Sequence, residues 1–109
     1  MIRELFNGFI RIHILHHASL QPVYGQEMMA ELARHGYKTG PGTIYPLLHR
    51  MAREGYLEMQ RRVVGGRVRK YYVITAAGQD ILEQAREKLR ELWGEVLAED
   101  GRDFDKGRC

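Results

Sequence analysis

Arg61, Arg62, Arg67, Arg69 and Lys70 place five cations within ten residues, with no carboxylate among them. A field of that sign and density attracts phosphate. Shortly before it, Thr43, Tyr45, His49, Arg50 and Arg53 supply donors suited to backbone and base-edge contacts, and Arg50 or Arg53 could pair with guanine through two hydrogen bonds. Both sets point to nucleic acid. A third set, His13, His16 and His17, stands at i, i+3 and i+4, a spacing that can offer imidazoles to one metal ion. No nearby carboxylate or thiolate completes that ligand set, and packing and hydrogen bonding account equally well for histidines on a mostly apolar helix. Enzyme chemistry has no foothold: there is no Ser/His/Asp order, no phosphate-binding glycine loop and no pair of carboxylates in an apolar setting, so no cofactor is expected.

The elements that must position these residues follow from periodicity. Ile44, Leu47, Leu48 and Met51 form one buried stripe of a helix, leaving Gly42, Pro46, His49 and Arg53 on the opposite face with Tyr45 and Arg50 flanking it. Pro46 lacks an N–H and belongs in a first turn, which predicts a helix starting near Thr43 or a kink. Gly55 supplies the stop. Tyr56 to Val63 reads as a strand, Val64-Gly65-Gly66 as a turn and Arg67 to Ile74 as the returning strand. Tyr71 and Tyr72 alternate across it, so one faces the core and the other solvent or DNA.

Upstream, residues 2–17 read as a first helix with Phe6, Phe9, Ile10, Ile14 and Leu15 as its apolar side, and Ser19 to Val23 as a turn. A second helix runs from Tyr24 to His35, and the glycine-rich GYKTGPG over 36–42 connects it to the third. Downstream, Thr75 is a suitable N-cap for a last helix whose stripe comprises Ile81, Leu82, Ala85, Leu89, Leu92, Trp93, Val96 and Leu97. So much apolar surface needs a cover, which a second copy supplies most economically. The expected class is mostly α with a small β-hairpin (α+β): a winged helix-turn-helix over residues 1–75, a C-terminal dimerisation helix over 76–100 and a polar, disordered tail over 101–109.

This pattern resembles the PadR-like transcriptional regulators. The resemblance is carried by Tyr24-Gly25, Gly42-Thr43-Ile44-Tyr45-Pro46-Leu47-Leu48, Glu54-Gly55-Tyr56-Leu57, and Gly65-Gly66 through Lys70-Tyr71-Tyr72 to Thr75-Ala76-Ala77-Gly78, in order across residues 5 to 97. It implies a short family member with a single C-terminal dimerisation helix, and a small aromatic or drug-like effector bound between subunits with Trp93 as its platform. A plain reading of Trp93 is an interface anchor.

Composition bounds these readings. A chain of 109 residues is one domain, small enough for a partner subunit to contribute much of its stability. Its net charge of +3 is uneven: residues 1–75 hold 11 Lys/Arg against 5 Asp/Glu, whereas residues 76–109 hold 6 against 9. Basic charge therefore coincides with the expected winged helix-turn-helix over residues 1–75. Cys109 is the only cysteine, so no internal disulfide forms. No membrane span and no signal peptide are visible, and a soluble cytoplasmic protein is expected. The expected function is sequence-specific binding of double-stranded DNA by a homodimer on a roughly palindromic operator, most simply as a repressor. Two alternatives stand beside it: a metal-responsive winged-helix repressor using His13, His16 and His17, and a winged helix serving protein or RNA contacts.

Overall fold

Ile10, Ile14, Leu15 and Ala18 recur on one side of the first segment and bury together, which fixes α1 over Ile2–Leu20. The computed structural model describes residues 1–98. The expected tail over 101–109, and the last residues of the expected 76–100 helix, lie outside that range. Met28 and Leu32 bury the inner side of α2 (Gly25–Arg34), and Ile44, Leu47, Leu48 and Met51 do the same for α3 (Pro41–Arg53), as their spacing predicts. The core is a single cluster in which Ile14, Leu32, Ile44 and Leu48 have no exposed surface. Side chains of that size each stabilise the fold by roughly 1.5–3 kcal/mol when fully buried.

The α3 helix departs from expectation at its start. It begins at Pro41 rather than near Thr43, so Pro46 lies in the second turn. The N–H that Pro46 lacks would have met the carbonyl of Gly42, and Gly42 is on the exposed side, where water can take that carbonyl. At the other end Gly55 adopts φ 91°, the Gly55 N–H bonds the Ala52 carbonyl and the Tyr56 N–H bonds that of Met51. This left-handed cap turns the chain directly into the hairpin.

The hairpin pairs β1 (Leu57–Val64) with β2 (Arg67–Ile74), Leu57 opposite Ile74 and Val64 opposite Arg67. The turn is thus Gly65-Gly66 alone, and Val64 belongs to the strand. Both glycines have positive φ, 59° and 79°, as a two-residue turn matched to strand twist requires. The expected turn over Ser19 to Val23 is also shorter than predicted. Helix α1 continues to Leu20, and Val23 forms a bridge with Tyr72 through backbone bonds of 3.0 and 2.7 Å. A single bridging residue flanked by Pro22 carries no strand periodicity, which is why the pattern concealed it.

Thr75 caps α4 (Ala76–Leu92), its hydroxyl accepting the Gly78 N–H at 3.0 Å and donating to the Gly55 carbonyl at 2.6 Å. One side chain thereby joins the end of α3 to the start of α4. Leu82 is buried where α4 packs on α1 and β2. Beyond it the helix passes into a π-helical turn at Trp93–Leu97, and Leu89, Leu92, Trp93, Val96 and Leu97 are all exposed.

Candidate nucleic-acid interface

The third helix can hold a polar face outward only because its inner stripe is pinned by the core. Thr43, Tyr45, His49, Arg50 and Arg53 are all exposed, as are Arg61, Arg62, Arg67 and Lys70 on the hairpin; Arg69 is half-buried. They do not form one uniform surface. Tyr45 and His49 turn toward the hairpin and line a cleft of about 370 Å³ with Arg69 and Lys70. Thr43 and Arg50 border a groove on the other flank with Asn7 and Arg11 of α1. Arg53 occupies the last turn of α3.

Strand pleating divides the hairpin cations as well. Arg61 stands opposite Lys70 on the face that carries Leu57 and Tyr72, while Arg62 stands opposite Arg69 on the reverse face, which Arg67 shares. Tyr72 is the tyrosine that enters the core, at 2% exposure, and burial pushes its hydroxyl pKa up, with Tyr45 nearby adding to the shift. Tyr71 stays half-buried on the reverse face. There the Arg62 guanidinium lies 4.8 Å from the Tyr71 ring centre and that of Arg69 lies 4.2 Å from the Tyr24 ring centre. Tyr24 belongs to the motif that carries the family resemblance but was not among the expected contact residues. Its neighbour Val23 is tied to β2, and no periodic signal reveals that.

Charge pairing separates the two halves of the molecule. Glu54 is taken by Arg11 at 2.8 Å, and on α4 Arg86, Lys88 and Arg90 all have glutamate neighbours. Among the described residues no carboxylate makes an ion pair with Arg50, Arg53, Arg61, Arg62, Arg67, Arg69 or Lys70. Seven cations on α3 and the hairpin are thus without an ion-pair partner among the described residues.

The histidines behave otherwise than their spacing suggests. His13 stacks on His35, the residue that caps the C-terminal end of α2, with ring centres 4.7 Å apart, and His17 reaches Glu31 at 3.4 Å. The carboxylate missing from the local sequence is therefore delivered by α2, where Glu31 also meets His35 at 3.2 Å. Among the described residues no group of three or more His, Cys, Asp or Glu side chains is arranged to hold a metal ion. Burial, with the neighbouring charges of His35 and His17, lowers the His13 pKa. Burial alone would raise that of Glu31; the hydrogen bond from His35 and the charges of Arg34, His17 and His35 outweigh it and hold the carboxyl below its ordinary value.

Trp93 is 61% exposed. An apolar cavity of about 520 Å³ opens between α1 and α4, walled by Phe9, Ile12, His13, Tyr37, Leu82 and Leu89, and Trp93 stands one turn beyond it. No helix among the described residues is long and apolar enough to cross a membrane.

Comparisons with known proteins agree on one family. The model of the "Transcriptional regulator PadR-like family" matches residues 14–84, more than half of the chain. The chain is 47% identical over 96 residues to "Transcriptional regulator Rv3488" of Mycobacterium tuberculosis, spanning 88% of this chain and 90% of that protein. Among solved structures it is similar to a PadR-like transcriptional regulator from Bacillus cereus, with 32% identity, a TM-score of 0.74, and coverage of 95% of this chain and 99% of that one. A PadR family regulator from Eggerthella lenta gives 28% identity and a TM-score of 0.75 over 98% of this chain and 91% of that one. With four α-helices among its described residues, the third leading into a basic hairpin, and matched by family model, sequence and fold alike, the chain belongs to the PadR-like family of transcriptional regulators and is not an enzyme.

Proposed function

We propose that this protein is a homodimeric, sequence-specific DNA-binding repressor in which residues 1–75 form the reading head and the helix beginning at residue 76 forms the dimer contact. The observation that carries the reading is the set of seven cations on α3 and the hairpin that have no carboxylate partner among the described residues. Such groups neutralise phosphates and release counterions, which makes binding steeply salt-dependent. The outer face of α3 enters the major groove: Tyr45 and Thr43 contact the backbone, His49 contacts backbone or base edges, and Arg50 and Arg53 are the candidate purine readers. Arg61, Arg62, Arg67, Arg69 and Lys70 follow the backbone and the adjacent minor groove, adding affinity more than sequence choice.

Dimerisation is supported by the apolar surface that a single copy leaves open. Leu89, Leu92, Trp93, Val96 and Leu97 near the end of α4, and Ile2, Leu5 and Phe6 at the start of α1, are between 39% and 61% exposed. A second copy crossing at these segments covers both sets and sets two reading heads on a pseudo-palindromic operator, with half-sites about 34 Å apart. In that arrangement Trp93 lies at the subunit boundary, where an aromatic effector would release the operator by changing the helix packing.

A labelled duplex from the region upstream of the protein's own coding sequence, titrated at two salt concentrations against unrelated competitor, tests the reading. Binding that survives competitor, falls steeply with salt and is lost in the Arg67→Ala plus Arg69→Ala variant supports it. Binding erased equally by any duplex argues for a partner other than a specific operator.

A further inference from the structure

The five hairpin cations are not equivalent. Among the described residues Arg61 and Arg67 have no side-chain hydrogen bond, ion pair or aromatic contact, so both can extend toward a groove. Arg69 is held back. Its guanidinium lies 4.2 Å from the Tyr24 ring centre and donates to the Tyr71 hydroxyl at 3.4 Å. The Tyr24 and Tyr71 rings meet edge to face at 5.3 Å. Tyr24 has little freedom itself, because both backbone bonds of the Val23–Tyr72 bridge fix the chain one residue earlier. A line of constraint thus runs from the bridge through Tyr24 to the Arg69 guanidinium.

What that constraint positions is a donor at the cleft between α2, α3 and the hairpin. The cleft, about 370 Å³, is lined by Tyr24, Gly25, Tyr45, His49, Arg69 and Lys70, with no acidic side chain in its walls. A guanidinium has five N–H donors, and one bond to a tyrosine hydroxyl leaves the rest available. An arginine laid on a ring, half-buried and drawn back from the hairpin tip, is pre-organised for an anion that comes to it. It cannot reach a base edge without giving up its stacking and its hydrogen bond. Two cations beside an open hollow whose walls carry no acidic side chain suit one tetrahedral oxyanion. The hollow is continuous with the exposed Tyr45 and His49 of α3, so the oxyanion that reaches it belongs to the same duplex.

We propose that Arg69, held by Tyr24 and Tyr71, forms with Lys70 a seat for one phosphodiester group of the DNA backbone in each protomer, and that Tyr24 is the positioning residue of that seat. The proposal rests on the DNA-binding reading above. It assigns Arg69 to register on the backbone rather than to base recognition, and it separates Arg69 from Arg61 and Arg67.

The test begins with a duplex selected by the wild-type protein from a randomised pool. Single phosphates of that duplex are then replaced by neutral methylphosphonates, one position at a time. In the wild type, neutralising the seated phosphate weakens binding about tenfold, the scale of one charge-assisted hydrogen bond. In a homodimer Arg69→Gln and Tyr24→Leu each remove both seats, so they weaken binding to the unmodified duplex by about a hundredfold and make the two symmetry-related positions silent, while the other sensitive phosphates stay sensitive. The salt slope falls by about 0.9 for each seat lost. Tyr24→Phe keeps the ring and behaves as wild type, a rescue that a general loss of packing would not give. If Tyr24→Leu does not fold, Tyr71→Phe carries the same comparison, since it removes only the hydroxyl that accepts from Arg69. The proposal is overturned if Arg69→Gln keeps the wild-type sensitivity at every phosphate, or if Tyr24→Leu binds as tightly as wild type. A wild-type protein that enriches no duplex strikes the DNA-binding reading itself, a result distinct from either.

Discussion

The ring of Tyr45 packs against the bare backbone of Gly25, so closely that a Cβ at Gly25 would run into its Cε1 and Cζ atoms. This contact joins the first residue of α2 to the exposed face of α3 beside the basic cleft. The obstructing atoms are the far end of a side chain that is 43% exposed, so Gly25→Ala makes the ring swing away at little cost. We expect a stability change below about 1 kcal/mol, partly offset by alanine's better helix propensity. DNA affinity, by contrast, falls about tenfold if Tyr45 makes a phosphate contact. Thermal unfolding and a binding titration on the same sample separate the two effects; a large stability loss with unchanged affinity contradicts this role for Tyr45.

Gly78 presents the opposite case. A Cβ there would collide with the Tyr56 carbonyl and with the Ile74 side chain, and a backbone carbonyl cannot rotate away. Gly78→Ala is expected to destabilise the protein by about 1–3 kcal/mol, the usual range for overpacking. Urea denaturation reads this directly, and an unchanged midpoint would show that the start of α4 does not sit against Tyr56 and β2 as described.

Acid should destabilise the fold through the junction of α1 and α2. The His13 pKa lies below its ordinary 6.5 in the folded protein, so the unfolded chain binds that proton more readily. The penalty is absent above 6.5 and grows as pH falls through 6.5 toward the lower folded value. Glu31, held below its ordinary 4.5, contributes stability above 4.5 that is lost only as pH falls further, through its depressed value. Both changes have the same sign. The unfolding temperature of the wild type should fall between about pH 7 and about pH 5, and His13→Gln should flatten that fall. A parallel decline in the variant would assign the acid sensitivity to another group.

The open surface of α4 predicts a concentration-dependent assembly. Trp93→Asp, together with Leu92→Glu, places charges where two copies of an apolar surface are expected to meet, and sedimentation should then report a monomer. A wild-type protein that is itself monomeric at tens of micromolar would remove the dimer from the account.

Periodic features were legible in the sequence, and features made by single contacts were not. The stripe Ile44, Leu47, Leu48, Met51 gave α3 and its outer face, and Gly65-Gly66 gave the hairpin turn, because spacing and backbone conformation are local properties. The start of α3 was misplaced because solvent access to the Gly42 carbonyl, which lets Pro46 sit inside the helix, depends on which face the core takes. Glu31 was overlooked beside the histidines since it arrives from another helix. The Val23–Tyr72 bridge and the stacking of Arg69 on Tyr24 join residues more than forty positions apart, with no pattern to announce them. Five neighbouring cations read alike in one dimension; only the pleat and the nearby rings distinguish them.

The most direct test of the central claim is selection of the wild-type protein against a pool of duplexes with a randomised core, followed by sequencing of what it retains. The account predicts convergence on an inverted repeat whose half-sites lie about one helical turn apart, roughly 34 Å centre to centre. A pool that stays random after repeated rounds, although the protein is folded and the salt is low, would contradict it.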